Sequence, residues 1–203
     1  YDNDPLLRID AFDCTTYVET ILALSKSQNF DEFQTTLNSL RYINHISFLE
    51  RAHFIESDWI ENATRKNFLK NISSQFVSIS DSFTFEIDKA GWIKKQPHQG
   101  SSGRIRKHLS KTAETISKEK VVIEYLPFEK IITQSKDKIV FSSKFKNSLP
   151  TQSIFNLILY QNEIDPKIGT KIAVRHQGFL LKKSNQLITV SYTHLTLPTI
   201  GCV

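Results

Sequence analysis

The stretch Phe12-Asp13-Cys14-Thr15-Thr16-Tyr17-Val18-Glu19-Thr20 constrains the chain more than any other. It requires a helix to start at a thiol. Asp13 is a good N-cap, and Thr16 with Glu19 repeats the Ser/Thr-x-x-Glu spacing of a capping box. Val18, Ile21, Leu22 and Leu24 follow at helical spacing, so one face of that helix must be buried. A thiol at a helix N-terminus feels the positive end of the macrodipole, which favours thiolate. Cys14 is therefore either a nucleophile or a small buried hydrophobe. The only other cysteine is Cys202, too far along the chain to suggest a disulfide framework.

A nucleophilic thiol needs a base, joined to it in space and not in sequence. Val174-Arg175-His176-Gln177-Gly178-Phe179-Leu180-Leu181 supplies a candidate, because it reads as a strand that opens with a histidine. The spacing predicts helices over 14–25 and from Asp31, where Phe33, Leu37 and Leu40 share a face. It predicts a short helix capped by Ser57. Phe83, Phe85 and Ile87 alternate as a half-buried strand does. A polar stretch from Gln96 to Lys120 contains a helix over 104–118. Beyond it come apolar runs at 121–126, 131–132, 139–141 and 154–160. A hairpin joins 176–181 to 186–188 across the turn 182–185. Helices first and an antiparallel sheet second is an α+β arrangement.

Composition sets limits on the rest. A chain of 203 residues is long enough for one domain with a substantial core. No apolar run reaches the roughly 18 residues of a membrane span. A net charge of +5 permits anionic partners without demanding them. The basic run Arg104-Ile105-Arg106-Lys107-His108 lacks interleaved aromatics and reads as a solvated helix face, so no nucleic-acid partner is expected. The six histidines show no metal-type pair, and no metal site is expected. The chain begins at Tyr1 and contains no methionine, which reads as a start inside a longer gene product. Val190 to Thr199 resembles a translated sequencing adapter. The expected division is therefore a domain over 1–189 and a tail over 190–203 without evolved function, so His194 and Cys202 receive no role.

Arg51, His53 and Trp59 crowd a short stretch with functional residue types. Arg51 could hold a substrate carboxylate through two hydrogen bonds, and Trp59 could pack on a sugar ring. The plainer reading is a packed loop with His53 hydrogen-bonded to backbone.

Together these segments resemble the N-acetylmuramoyl-L-alanine amidase-like family of bacterial cell-wall amidases, within the NlpC-type, papain-like superfamily. The residues that carry the resemblance are Phe12 to Leu24, Leu40-Arg41-Tyr42, Arg51-Ala52-His53-Phe54 with Asp58-Trp59, Tyr125-Leu126-Pro127, Gly169-Thr170 and His176-Gln177-Gly178-Phe179. The resemblance implies N-terminal helices packed on an antiparallel sheet, truncated here at both ends. It implies Cys14 and His176 as a catalytic pair, with Arg51, His53 and Trp59 as substrate contacts. A third polar residue, usually histidine, belongs shortly after Ile188, where this chain carries the adapter-like tail instead; that departure implies a weakened or inactive enzyme. The implied reaction is cleavage of the amide between the N-acetylmuramic lactyl group and L-alanine through an acyl-enzyme, with no cofactor. The implied partners are peptidoglycan fragments, in the periplasm or cell envelope. Two alternatives stay open: a γ-D-glutamyl-diaminopimelate endopeptidase of the same fold, and a non-catalytic muropeptide-binding module.

Overall fold

The structure is a computed structural model that describes residues 7, 9–95, 103–135, 138–159, 164, 166–183 and 186–192. The helices and strands follow in the order α1 (Cys14–Lys26), α2 (Phe30–Arg41), α3 (Ile60–Arg65), β1 (Asp81–Ile87), α4 (Lys89–Lys95), α5 (Gly103–Ala113), β2 (Glu119–Tyr125), α6 (Phe128–Ile131), β3 (Ile132–Ser135), β4 (Lys138–Phe141), α7 (Ser143–Ser148), β5 (Gln152–Ile158), β6 (Val174–Lys183) and β7 (Gln186–Val190). The fold is α+β, as expected. Its strands form separate small sheets, β1-β2, β3-β4 and β5-β6-β7, and not one sheet.

The chain divides into two compact units. The first comprises Tyr1–Asp81, Tyr125–Ile158 and Val174–Val203. The second comprises Ser82–Glu124 and Leu159–Ala173.

In the first unit, α1 and α2 bury Ala23, Phe33, Leu37 and Leu40 together with Ala63 of α3. The cap of α2 is Asn29, whose side chain accepts from the Glu32 N–H, and not the expected Asp31. Asn62 and Lys66 complete the other end of α2: Asn62 Nδ2 donates to the carbonyls of Ser39, Leu40 and Tyr42, and Lys66 Nζ to those of Ser39 and Tyr42. These are carbonyls that a helix C-terminus leaves without partners. Burial and the neighbouring Arg65 lower the Lys66 pKa. Ser57 caps nothing. It lies inside a π-helical turn, Ile55–Trp59, that runs directly into α3. Beyond the end of α3 at Arg65, Asn67 turns with a φ of 61°, which lets the Phe68 N–H return to the Ala63 carbonyl.

The three-stranded sheet is antiparallel, with Phe155 opposite Gly178 and Phe179 opposite Val190. The predicted hairpin is present, closed by the pair Lys183 and Gln186. One face of the sheet covers Phe76, Ile131, Phe145 and Leu149 with Leu180 and Phe155. From the other, Ile154 and Phe179 pack against Val18, Ala52 and Trp59.

In the second unit, β1 pairs with β2; β1 alternates as expected, with Phe85 and Ile87 buried, and β2, read from sequence as an apolar run, alternates too, with Val121 and Ile123 buried. The α5 helix is shorter than the sequence suggests, ending at Ala113 and not near Lys118. The Asp88 N–H donates to Thr170 Oγ1 at 2.7 Å, and Asp88 Oδ1 accepts from the Gly91 N–H at 2.6 Å. Gly169 turns at φ 76° so close to Gly91 that a Cβ there would stand 2.6 Å from the Gly91 carbonyl oxygen.

Candidate active site

Asp13 fixes the start of α1. Its Oδ1 accepts from the Thr16 N–H at 2.7 Å, and Thr16 Oγ1 takes the Asp13 N–H at 2.9 Å. The capping box is thus Asp13–Thr16, and not the Thr16–Glu19 pair that the sequence spacing suggests. With Thr16 N–H on Asp13 Oδ1 and Tyr17 N–H on the Asp13 carbonyl, the N–H groups of Cys14 and Thr15 carry no hydrogen bond among the described residues. Cys14 is half-buried with a free thiol, its Sγ 3.9 Å from Thr15 Oγ1. A half-buried thiol beside two open backbone donors can attack a carbonyl and stabilise the oxyanion that results.

Glu19 points the other way, into the core. Its Oε2 accepts from Arg41 Nε at 2.8 Å and its Oε1 from Trp59 Nε1 at 3.0 Å. Both ends of the ion pair are almost fully buried. Burial pushes the Glu19 pKa up, while the guanidinium groups of Arg41 and Arg51 pull it down; the net shift is upward.

This network corrects the reading of Trp59. Its ring is 0% exposed, so it has no face to offer a sugar. Its indole N–H is instead the second donor to a buried carboxylate. His53 matches the plainer reading: its Nε2 donates to the Phe48 carbonyl at 2.7 Å, and its ring sits 4.7 Å from that of Phe48. Arg51 is half-buried, bridges Tyr42 through backbone, and lies in the field of Glu19. The two substrate-contact candidates Arg51 and His53 thus lie in the loop beside the Glu19 network.

His176 lies on β6, the strand on which α1 packs. Tyr17, one turn beyond Cys14, meets Phe179 at 6.3 Å between ring centroids. Strand alternation gives Phe179 and Gln177 one side of the sheet and His176 the other. There the imidazole lies 6.4 Å from the Phe155 ring. Helix and strand are therefore brought together, while no hydrogen bond joins Cys14 to His176 among the described residues. The register shifts between Leu157 and Ile158, opposite His176 and Val174, which leaves Arg175 as the extra residue of a bulge. Burial lowers the His176 pKa, so the ring is a neutral base at pH 7 and not an imidazolium.

Two features escaped the sequence reading. Gln177, adjacent to His176, is 0% exposed and donates to Asn156 Oδ1 at 3.0 Å. Around the start of α1, Phe12, Tyr17, Phe179 and Tyr192 form a continuous group of half-buried rings. Alternation about His176 was enough to mark Gln177 and Phe179 as the helix-facing pair. Nothing local marked the rings as neighbours.

No group of three His, Cys, Asp or Glu side chains able to hold a metal occurs among the described residues. No described helix is long and apolar enough to cross a membrane.

Compared with known families, residues 1–195 match the AmiA-like family, described as N-acetylmuramoyl-L-alanine amidase-like. The chain belongs to the AmiA-like family. No curated protein matches it. A Legionella pneumophila protein from a family of unknown function superposes with a TM-score of 0.80 at 24% identity, covering 96% of this chain and 69% of that one. An N-acetylmuramoyl-L-alanine amidase from Bacteroides uniformis superposes with a TM-score of 0.59 at 21% identity, covering 96% and 75%. A second structure under that same name gives 0.57 at 21%, covering 92% and 72%. At these identities the likeness shows the fold. Family membership makes the AmiA-like chain a cell-wall amidase at the level of the family.

Proposed function

We propose that the chain is a cysteine amidase that cleaves the bond between the lactyl group of N-acetylmuramic acid and L-alanine. The observation that carries the reading is the start of α1. In an AmiA-like chain, a free, half-buried thiol stands at a capped helix N-terminus with two open N–H groups beside it.

Strand alternation sets His176 on the sheet face away from α1, so this chemistry requires the ring to be re-aimed toward Sγ; the neutral imidazole then takes the Cys14 proton as Sγ attacks the lactyl carbonyl carbon. The carbonyl oxygen becomes an oxyanion held by the N–H groups of Cys14 and Thr15, each such donor being worth about 3 kcal/mol. The intermediate collapses, the C–N bond breaks, and the imidazolium returns its proton to the amine of L-alanine. Water, deprotonated by His176, then attacks the thioester, frees the lactyl carboxylate and restores the thiol. The bulge at Arg175 supports a role for His176, because bulges re-aim neighbouring side chains and gather beside active sites. Peptidoglycan fragments in the cell envelope are the proposed substrates.

Cys14→Ala is expected to lower release of stem peptide from muropeptides by at least about 10⁴-fold. Mass spectrometry of the products reads both the loss and the bond, since only this amidase frees a peptide that starts with L-alanine. Retained activity removes Cys14 as nucleophile. The pH profile of Cys14 alkylation by iodoacetamide tests the base separately: a profile unchanged in His176→Gln removes His176 from the reaction.

A further inference from the structure

With Trp59 sealed in the core, any aromatic surface for the substrate must come from other rings. Tyr17 stands one turn from Cys14 on the same helix. Phe12 and Phe179 meet it nearly at right angles, at interplanar angles of 81° and 73°. Tyr192 does something different. It lies on Tyr17 at 29° with centroids 6.2 Å apart, the one stacked contact of the group. The Tyr17 ring is thus braced by two perpendicular neighbours while a third ring stacks against it. Its hydroxyl carries no hydrogen bond among the described residues.

We propose that the face of Tyr17 is a saccharide-stacking subsite of the Cys14 site, and that Tyr192 occupies it in the free protein. The proposal rests on the amidase reading, in which the acyl half of the scissile amide is carried by a pyranose. A pyranose is a disc with an apolar C–H face and a polar rim. A half-buried tyrosine offers the matching pair, a flat apolar face ending in an open hydroxyl. Tyr192, itself a flat ring with a polar tip, shows that the face accepts such an object. To bind there a sugar must displace Tyr192, and the fraction of molecules with the face covered lowers the apparent affinity.

The two tyrosines should therefore act with opposite sign. Binding of the disaccharide N-acetylglucosaminyl-N-acetylmuramic acid, free of peptide, is measured by calorimetry on the Cys14→Ala chain. Adding Tyr17→Ala should weaken it about tenfold and Tyr17→Phe much less, as loss of a stacking face implies. Adding Tyr192→Ala should tighten it about threefold, by removing the internal competitor. Affinity for the peptide L-alanyl-D-glutamate should be the same in all variants. Thermal melts confirm that each variant folds, and Tyr192→Ala carries the test if Tyr17→Ala does not. The proposal is overturned if no variant binds the disaccharide, if Tyr17→Ala leaves binding unchanged, or if Tyr192→Ala weakens it. Turnover of muropeptides by the unsubstituted chain is assayed alongside. Absent turnover with the opposite-sign pattern intact removes the amidase reading and keeps the subsite.

Discussion

Two successive turns of α1 do opposite things. The first holds Cys14 and Tyr17, half-buried side chains without hydrogen bonds into the core. The second holds Val18 and Glu19, both buried, one packed against Trp59 and the other bonded to it and to Arg41. A reactive group is useful only if its carrier does not move, and here the anchor lies within one turn of the thiol. The lesson is that a polar residue close to a nucleophile need not belong to the chemistry. Glu19 stands five positions from Cys14, yet its partners are an arginine of α2 and a core indole.

Breaking the anchor should cost most. Glu19→Ala takes the buried carboxylate away from Arg41 Nε and Trp59 Nε1, and about 3–5 kcal/mol of stability should be lost in urea unfolding. A loss below about 1 kcal/mol would class the pair with surface ion pairs. Trp59→Phe keeps an aromatic side chain but removes the indole N–H and one fused ring, which leaves Glu19 Oε1 one donor short and opens a small cavity. About 1–3 kcal/mol should follow, with disaccharide affinity unchanged, in contrast to Tyr17. Asp13→Ala acts on the first turn alone and should cost about 1 kcal/mol through the lost cap.

The smallest effect is one of pH. Burial lowers the His176 pKa in the folded chain, so the unfolded chain binds more protons just below the ordinary histidine value of about 6.5. Stability should rise with pH from the lowered value to about 6.5 and level off above it. His176→Gln should remove that slope; a slope that persists belongs to another group.

Much of the scaffold was legible because it is periodic. The α1 helix, the apolar face of α2, the alternation of β1 and the β6-β7 hairpin all follow from local spacing. What failed was local chemistry with two solutions. Asp31 and Asn29 are both good caps, and Asn29 has the geometry to reach the Glu32 N–H. Thr16 and Glu19 have capping-box spacing, but Glu19 faces inward to Arg41, twenty-two positions away in sequence. Trp59 could not be told from a surface ring, because burial is decided by what arrives from elsewhere in the chain. The short α4, α6 and α7 helices were missed because one or two turns carry no period to read. At the site, Cys14 and His176 were visible as residue types, while the ring group around Tyr17 was invisible because Tyr192 comes from the far end of the chain.

Gly178 has a consequence of its own. A Cβ at that position would stand 2.9 Å from the Val190 carbonyl oxygen and 2.8 Å from Ser191 Cβ. One missing methyl thus lets the last strand settle against its neighbour and carry Tyr192 back over the thiol-bearing helix. Alanine there would wedge the strand end outward, and the helix would lose its cover through a change on the opposite side of the hairpin from the ring that moves.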